Sequence, residues 1–243
     1  MKKSKLLAAM LAVVMTGTLF FGCGKSKDTS ETPKTDDKQT ETPAEDPAPE
    51  VEQKIVYNLG ADPKTIDPQL NSAVDGSTII HNAFEGLMRE DSTGQIVPAV
   101  AEKYDVSEDG TVYKFYLRKD AKWSDGKPVV AGDFEYAWKR ALNPEVAAEY
   151  AYQLYYIKNG EAYFNGEVGA EEVGVKALDE KTLEITLGQV TPYFLKKLTN
   201  VCFYPVRLDV IEAGGETWAT DDKVQVYNGP FTIKEWVKEN SMT

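Results

Sequence analysis

AEKYDVSEDGTVYKFYLRKDAKWSDGKPVVAGDFEYAWKRALNP, residues Ala101–Pro144, carries both periodicities that decide the fold. Its first part alternates. Lys103–Val106 and Thr111–Leu117 flank Ser107-Glu108-Asp109-Gly110, and the Asp-Gly pair is the turn signal of a β-hairpin. Tyr113, Phe115 and Leu117 fall on one face of the second strand; Val112, Lys114 and Tyr116 fall on the other. Trp123-Ser124-Asp125-Gly126-Lys127-Pro128 then makes a tight connection. Beyond it the period changes: Phe134, Ala137, Trp138 and Ala141 recur at helical spacing. That helix should stop at Asn143-Pro144, because the residue before a proline is pushed out of the helical region.

The same reading extends outward. Downstream, the Tyr-rich stretch from about Glu145 to Phe164 predicts a second helix. Val173–Leu178 and Thr182–Leu187 predict a second hairpin around Asp179-Glu180-Lys181. Thr191-Pro192 opens a helix through Leu198 with proline at its first position. Asn228-Gly229-Pro230 turns into a last strand, Phe231–Trp236. Upstream, Ile55–Leu59 predicts an opening strand, broken by Asp62-Pro63 and Asp67-Pro68. Ile79, Ile80, Ala83, Phe84 and Leu87 predict a helix over Ser77–Met88 with Ser77 as N-cap. Strands and helices alternate without a repeat period, which places the body in the α/β or α+β class.

The first 52 residues have a different composition. Lys2, Lys3 and Lys5 precede an uncharged run, Leu6–Phe21, that is short for a membrane span of roughly 20 apolar residues. A charged start, a short apolar run and a small residue at the cut describe a secretory signal peptide over 1–22. Leu19-Phe20-Phe21-Gly22-Cys23 resembles a lipobox, in which diacylglycerol is attached to the cysteine thiol; Phe20 stands where leucine is usual. Lipidation of Cys23 is the expectation, and an ordinary signal peptide with a chance cysteine is the alternative. Gly24–Glu52 has nine acids, four lysines and four prolines, with Ala44, Ala48 and Val51 as its only apolar residues. Such a segment cannot bury enough surface to offset its ordering entropy, so 23–52 reads as a lipidated cysteine followed by a disordered acidic tether. Body, tether and lipid together imply a protein held at the extracytoplasmic face of the plasma membrane, or in the periplasmic space of a diderm cell.

Composition excludes several function classes. With 39 acidic and 27 basic side chains among 243 residues, the formal net charge is −12, the opposite of a nucleic-acid binder's basic stripe. The two cysteines form no C-x-x-C pair, and Cys202, in the apolar run Val201-Cys202-Phe203-Tyr204, reads as a buried free thiol. The single histidine, His81, lies two positions off the apolar stripe of its helix and reads as a surface or boundary residue. No nucleophile–base pair can be assembled around it, so no enzyme, metal or cofactor is expected. No P-loop is present.

Taken together, Ala101–Pro144 closely resembles the family 5 extracellular solute-binding proteins, the oligopeptide- and dipeptide-binding subunits of ABC importers. Further stretches match in the same order: Ile66-Asp67-Pro68, Phe84-Glu85-Gly86-Leu87, Gly174–Asp179, Pro192-Tyr193-Phe194 and Asn228-Gly229-Pro230-Phe231. The resemblance covers Ile55–Trp236, and its tyrosine pattern is closer to the oligopeptide branch. It implies a periplasmic-binding-protein-like fold of type II, whose first and third domains clamp the ligand while the second is an appendage. On it, 53–243 is the N-terminal part: the first lobe and the appended second domain, with the third domain missing. It implies an oligopeptide ligand bound largely through its backbone, hinge closure, and permease and ATPase subunits as partners.

Carried over residue by residue, the resemblance puts Ser72, Ala73 and Val74 at the ligand backbone and Tyr150 in the peptide cleft. An ordinary surface loop is the alternative for Ser72–Val74, and plain packing for Tyr150. An acid often stands at the Ser72 position, so a charge contact is lost there. The acid that usually meets the peptide amino terminus belongs to the third domain. Trp123 and Trp138 read as packing residues, and Asp125 and Asp133 as turn and helix-start residues. Val130 stands where the family usually has Ser or Thr, which removes an N-cap. Family members are much longer, and the pattern continues past Thr243, so a truncated receptor is expected. A surface lipoprotein used in signalling or adhesion, or a non-functional remnant, is the alternative.

Overall fold

A computed structural model describes residues 53–220 and 225–243. The expected signal peptide, the lipidation site Cys23 and the tether lie outside the described residues. The centre of the fold is a four-stranded antiparallel sheet in the order β3-β4-β6-β5. Its strands are β3 (Ala101–Val106), β4 (Val112–Leu117), β5 (Val175–Ala177) and β6 (Thr182–Thr186). The two predicted hairpins therefore form and pair with each other through β4 and β6. Tyr113 stands opposite Ile185, Phe115 opposite Leu183 and Lys114 opposite Glu184. One face carries the buried Tyr113, Phe115, Leu117, Leu183 and Ile185. The other is wet: Lys114 pairs with Glu184 at 3.5 Å, and the Tyr116 hydroxyl donates to Asp105 at 2.9 Å. Exposed pairs of this kind contribute little.

The helix α2 (Ala131–Leu142) packs on β5 and β6. Its apolar stripe, Phe134, Ala137, Trp138 and Ala141, is buried, and it stops before Pro144 as expected. Val130 contributes no side-chain acceptor, so only half a capping box remains. Asp133 Oδ2 accepts the Val130 N–H at 3.0 Å. On the inner side, Glu135 accepts from the Ala177 N–H at 2.7 Å and from Lys139 at 2.6 Å, which ties α2 to β5. Trp138 donates to the Phe203 carbonyl at 2.8 Å and meets the Phe203 ring edge-to-face at 5.2 Å. Trp123 and Trp138 are both core residues.

Several elements depart from the sequence reading. α1 runs over Val74–Ala83, with Ala73 at its cap and Ser77 inside it. The helix expected up to Met88 ends early because Phe84 turns extended and the next backbone is claimed elsewhere. The Gly229 N–H donates to the Ala83 carbonyl at 2.9 Å, and the Asn228 side chain bonds Glu85 N–H and C=O at 3.1 and 2.8 Å. A Cβ on Gly229 would lie 2.6 Å from Ala83 C, so only glycine fits. Two of the matching stretches, 84–87 and 228–231, are thus one docked unit. A short hairpin, β1 (Met88–Glu90) and β2 (Ile96–Pro98), follows.

The helix predicted over Glu145–Phe164 is broken into a 3-10 turn, Ala151–Leu154, and a short helix α3, Gly160–Phe164. Ala147 and Asn159 adopt positive φ, 53° and 60°, which no helix accommodates. The helix expected from Thr191 shrinks to α4 (Phe194–Lys197), and an unexpected α5 (Leu208–Gly214) follows. Phe231–Trp236 is not a strand: Phe231 bonds the Asn82 carbonyl, and only Trp236–Val237 (β7) pairs, with Ser241–Met242 (β8). Ile55–Leu59 lies in no sheet and Ile55 is 94 % exposed; among the described residues no strand pairs with it. Cys202 is buried and free, and burial pushes its thiol up to about 12. Among the described residues no helix is long and apolar enough to cross a membrane.

Candidate functional site

The loop that carries Ser72, Ala73 and Val74 rests on a buried polar strut. Asp67 is 1 % exposed, and its carboxylate accepts a two-pronged contact from Arg140 of α2 at 3.0 and 2.6 Å. Asp67 Oδ1 also accepts the Gln69 N–H at 2.9 Å. Gln69 accepts from Arg140 at 3.2 Å and donates to the Tyr204 carbonyl at 2.9 Å. Asn71 donates to the Ala73 carbonyl at 3.0 Å and to Ser77 Oγ at 2.8 Å. Gly76 crosses so closely over Asn71 that a Cβ there would overlap it. Asp67, Gln69 and Asn71 point inward with partners, while Ser72, Ala73 and Val74 point outward; Val74 is 83 % exposed. A satisfied polar network beneath an exposed loop makes that loop rigid. It presents backbone and small side chains outward from a fixed base.

Tyr150 precedes the 3-10 turn Ala151–Leu154, is half-buried, and meets Tyr152 edge-to-face at 5.8 Å. Neither Tyr150 nor Ser72–Val74 lines the two concavities that stand out on the surface. The first, of 670 Å³, lies between the extended segment 55–63, Ile79 and the 239–242 turn and strand. The second, of 420 Å³, is lined by His81, Tyr193, Lys196, Lys197 and Asn200, among others, and takes in Gln153 close to Tyr150. Sequence reasoning found neither. The adjacent Lys196-Lys197 pair in an acidic chain was the available signal for the second.

The signature carboxylates are structural. Asp133 Oδ2 accepts from Trp123 Nε1 at 2.9 Å as well as from Val130. Burial pushes Asp133 up, opposed by those two donors. Asp125 caps its turn by accepting the Lys127 N–H at 3.1 Å, and also pairs with the buried Arg207. Arg207 in turn holds Asp209 well below the usual carboxylate range. Both aspartates thus serve turn and helix start. His81 is exposed on one side, while its Nδ1 meets the Tyr204 hydroxyl at 2.9 Å; burial lowers its pKa. Among the described residues no group of His, Cys, Asp and Glu could hold a metal ion.

Known proteins resemble this chain in sequence and in fold. The periplasmic oligopeptide-binding protein OppA of Escherichia coli is 42 % identical over 187 residues, 76 % of this chain and 34 % of the relative. The dipeptide-binding protein DppE of Bacillus subtilis is 38 % identical over 79 % of this chain and 35 % of the relative. The chain therefore spans about a third of the length of the curated relatives it matches. Among solved structures, the substrate-binding domain of an oligopeptide ABC transporter from Bacillus anthracis superposes with a TM-score of 0.74 at 42 % identity, covering 75 % of this chain and 35 % of that one. The peptide-bound OppA of Listeria monocytogenes gives 0.69 at 38 % identity, over 71 % and 34 %. The fold is thus periplasmic-binding-protein-like. The model for bacterial extracellular solute-binding proteins, family 5, matches residues 95–243, and with this chain's relatives and architecture it settles the family: the chain belongs to the family 5 solute-binding proteins.

Proposed function

We propose that this chain captures oligopeptides outside the cytoplasm for delivery to an ABC importer. The carrying observation is the 42 % identity to an oligopeptide-binding protein over 76 % of the chain. The exposed Ser72–Val74 loop supports the reading physically. Its rigid backbone offers an extended ligand the donors and acceptors that every peptide shares, which gives affinity with loose selectivity. Tyr150, with a flat ring and a polar tip, suits the wall of such a cleft. Capture followed by hinge closure requires no chemistry, and catalysis plays no part in this reading.

In the same proposal, residues 1–22 direct export and Cys23 carries the lipid. Residues 23–52 tether the body, and residues 53–243 supply the first lobe and the appended domain of the clamp. The chain spans about a third of its relatives' length, and in this reading permease and ATPase subunits complete the importer. Uptake of a labelled tetrapeptide by host cells tests this. Deleting the gene should abolish uptake, and Cys23→Ser should release the protein from the membrane fraction. Undiminished uptake in the deletion strain would sink the transport role. One relative favours a second reading: a pheromone receptor, PrgZ, superposes with a TM-score of 0.72 at 33 % identity. On that reading captured peptides serve as signals, and the deletion strain would lose a peptide response while keeping uptake.

A further inference from the structure

The concavity at the end of α4 has a chemistry the peptide reading does not use. Its lining residues are His81, Gln153, Tyr193, Lys196, Lys197, Thr199 and Asn200, with no carboxylate among them. That is unusual in a chain whose formal net charge is −12. Lys197 is held in place: it donates to Gln153 Oε1 at 2.7 Å and lies 4.4 Å above the Tyr156 ring. Lys196 is exposed and has no ion-pair partner among the described residues. Asn200 uses its oxygen to accept the Cys202 N–H at 3.0 Å, which leaves its amide N–H groups available.

His81 adds a further donor. Burial pushes the Tyr204 hydroxyl up to about 12, so it stays protonated, and among the described residues its hydrogen has His81 Nδ1 as acceptor, at 2.9 Å. Where the Tyr204 hydroxyl donates in that bond, the imidazole hydrogen sits on Nε2, the nitrogen left for a ligand. The concavity thus gathers ammonium, amide and imidazole N–H donors with no carboxylate beside them. Donors of this kind are satisfied best by a charged oxygen acceptor.

We propose that this concavity binds a small oxyanion, a carboxylate or phosphate group, between Lys196, Lys197, Asn200 and His81. Ser72–Val74 are not among its lining residues, and its test does not depend on peptide capture.

His81 is the only histidine of the chain, so one imidazole signal reports on the site. Its proton resonance is followed while inorganic phosphate or acetate replaces chloride at constant ionic strength. Saturable movement with either anion is expected, together with a rise in the His81 pKa, because a bound anion favours the imidazolium. The anion giving the tighter response identifies the class. Lys196→Gln, on an exposed side chain, should weaken the response several-fold while the protein stays folded. A signal that follows chloride as closely as phosphate and acetate would overturn the proposal. So would an undiminished response in Lys196→Gln.

Discussion

Gly229 and Asp67 show how single residues hold this structure. The Gly229 backbone touches Ala83 and Phe84, and a Cβ there would stand 2.6 to 2.7 Å from three backbone atoms. Backbone cannot yield as a side-chain tip can. Gly229→Ala should therefore cost about 1–3 kcal/mol, the usual range for overpacking. Urea unfolding checks this, and an unchanged midpoint would mean that the docked turn is not fixed in solution. Asp67 is a buried charge whose partner, Arg140, is 11 % exposed. Removing one partner of such a pair leaves the other uncompensated, at about 3–5 kcal/mol. Asp67→Asn should lose stability on that scale, and the joint replacement Asp67→Leu with Arg140→Met should lose less than Asp67→Asn alone.

His81 gives a prediction in pH. Burial lowers its pKa below the usual 6.5, so between that folded value and 6.5 the unfolded chain binds more protons than the native one. Stability contributed by the neutral ring is fully present above 6.5 and is lost as pH falls through the folded pKa. Urea midpoints taken from pH 7.5 downward should fall in that window, and His81→Gln should remove the part owed to the ring. Equal slopes in both proteins would contradict the part-buried Nδ1 contact.

Among the elements, α2 and the two hairpins were legible because each signal is local. Apolar period, Asp-Gly turn and Asn-Pro stop all act within a few residues, and tertiary packing agreed with them. The missing cap at Val130 was legible too, and its consequence is measurable. Val130→Thr keeps the branched shape and adds an acceptor for the first turn, so it should stabilise by about 1 kcal/mol. A destabilised variant would show that Asp133 already satisfies that end of the helix. The elements that were misread depend on distant partners. α1 stops where Gly229, 146 residues further along the chain, takes the Ala83 carbonyl. Ile55–Leu59 reads as a strand but pairs with no strand among the described residues. Glu145–Phe164 has helical residues, yet Ala147 and Asn159 take left-handed backbone that no periodicity signals. The candidate site divides in the same way. Ser72–Val74 are proposed as ligand residues on resemblance alone, and the structure has them exposed over a buried strut. That strut, Asp67 to Asn71 with Arg140, gives no sequence signal because its partners lie far apart in the chain.

At the scale of the whole molecule, the family stretches turn out to be mostly framework. Ile66-Asp67-Pro68 anchors to α2, Phe84–Leu87 docks on Asn228–Phe231, and Trp123 with Asp133 starts α2. These contacts fix the scaffold, and in the proposed reading they leave peptide contact to the exposed Ser72–Val74 loop. The most direct test of peptide capture is isothermal titration of the protein purified from its native host, its intact mass measured alongside, with a mixed oligopeptide pool. Micromolar or tighter binding, weakened by Tyr150→Ala, is the predicted result. No binding heat from a folded protein would contradict the account.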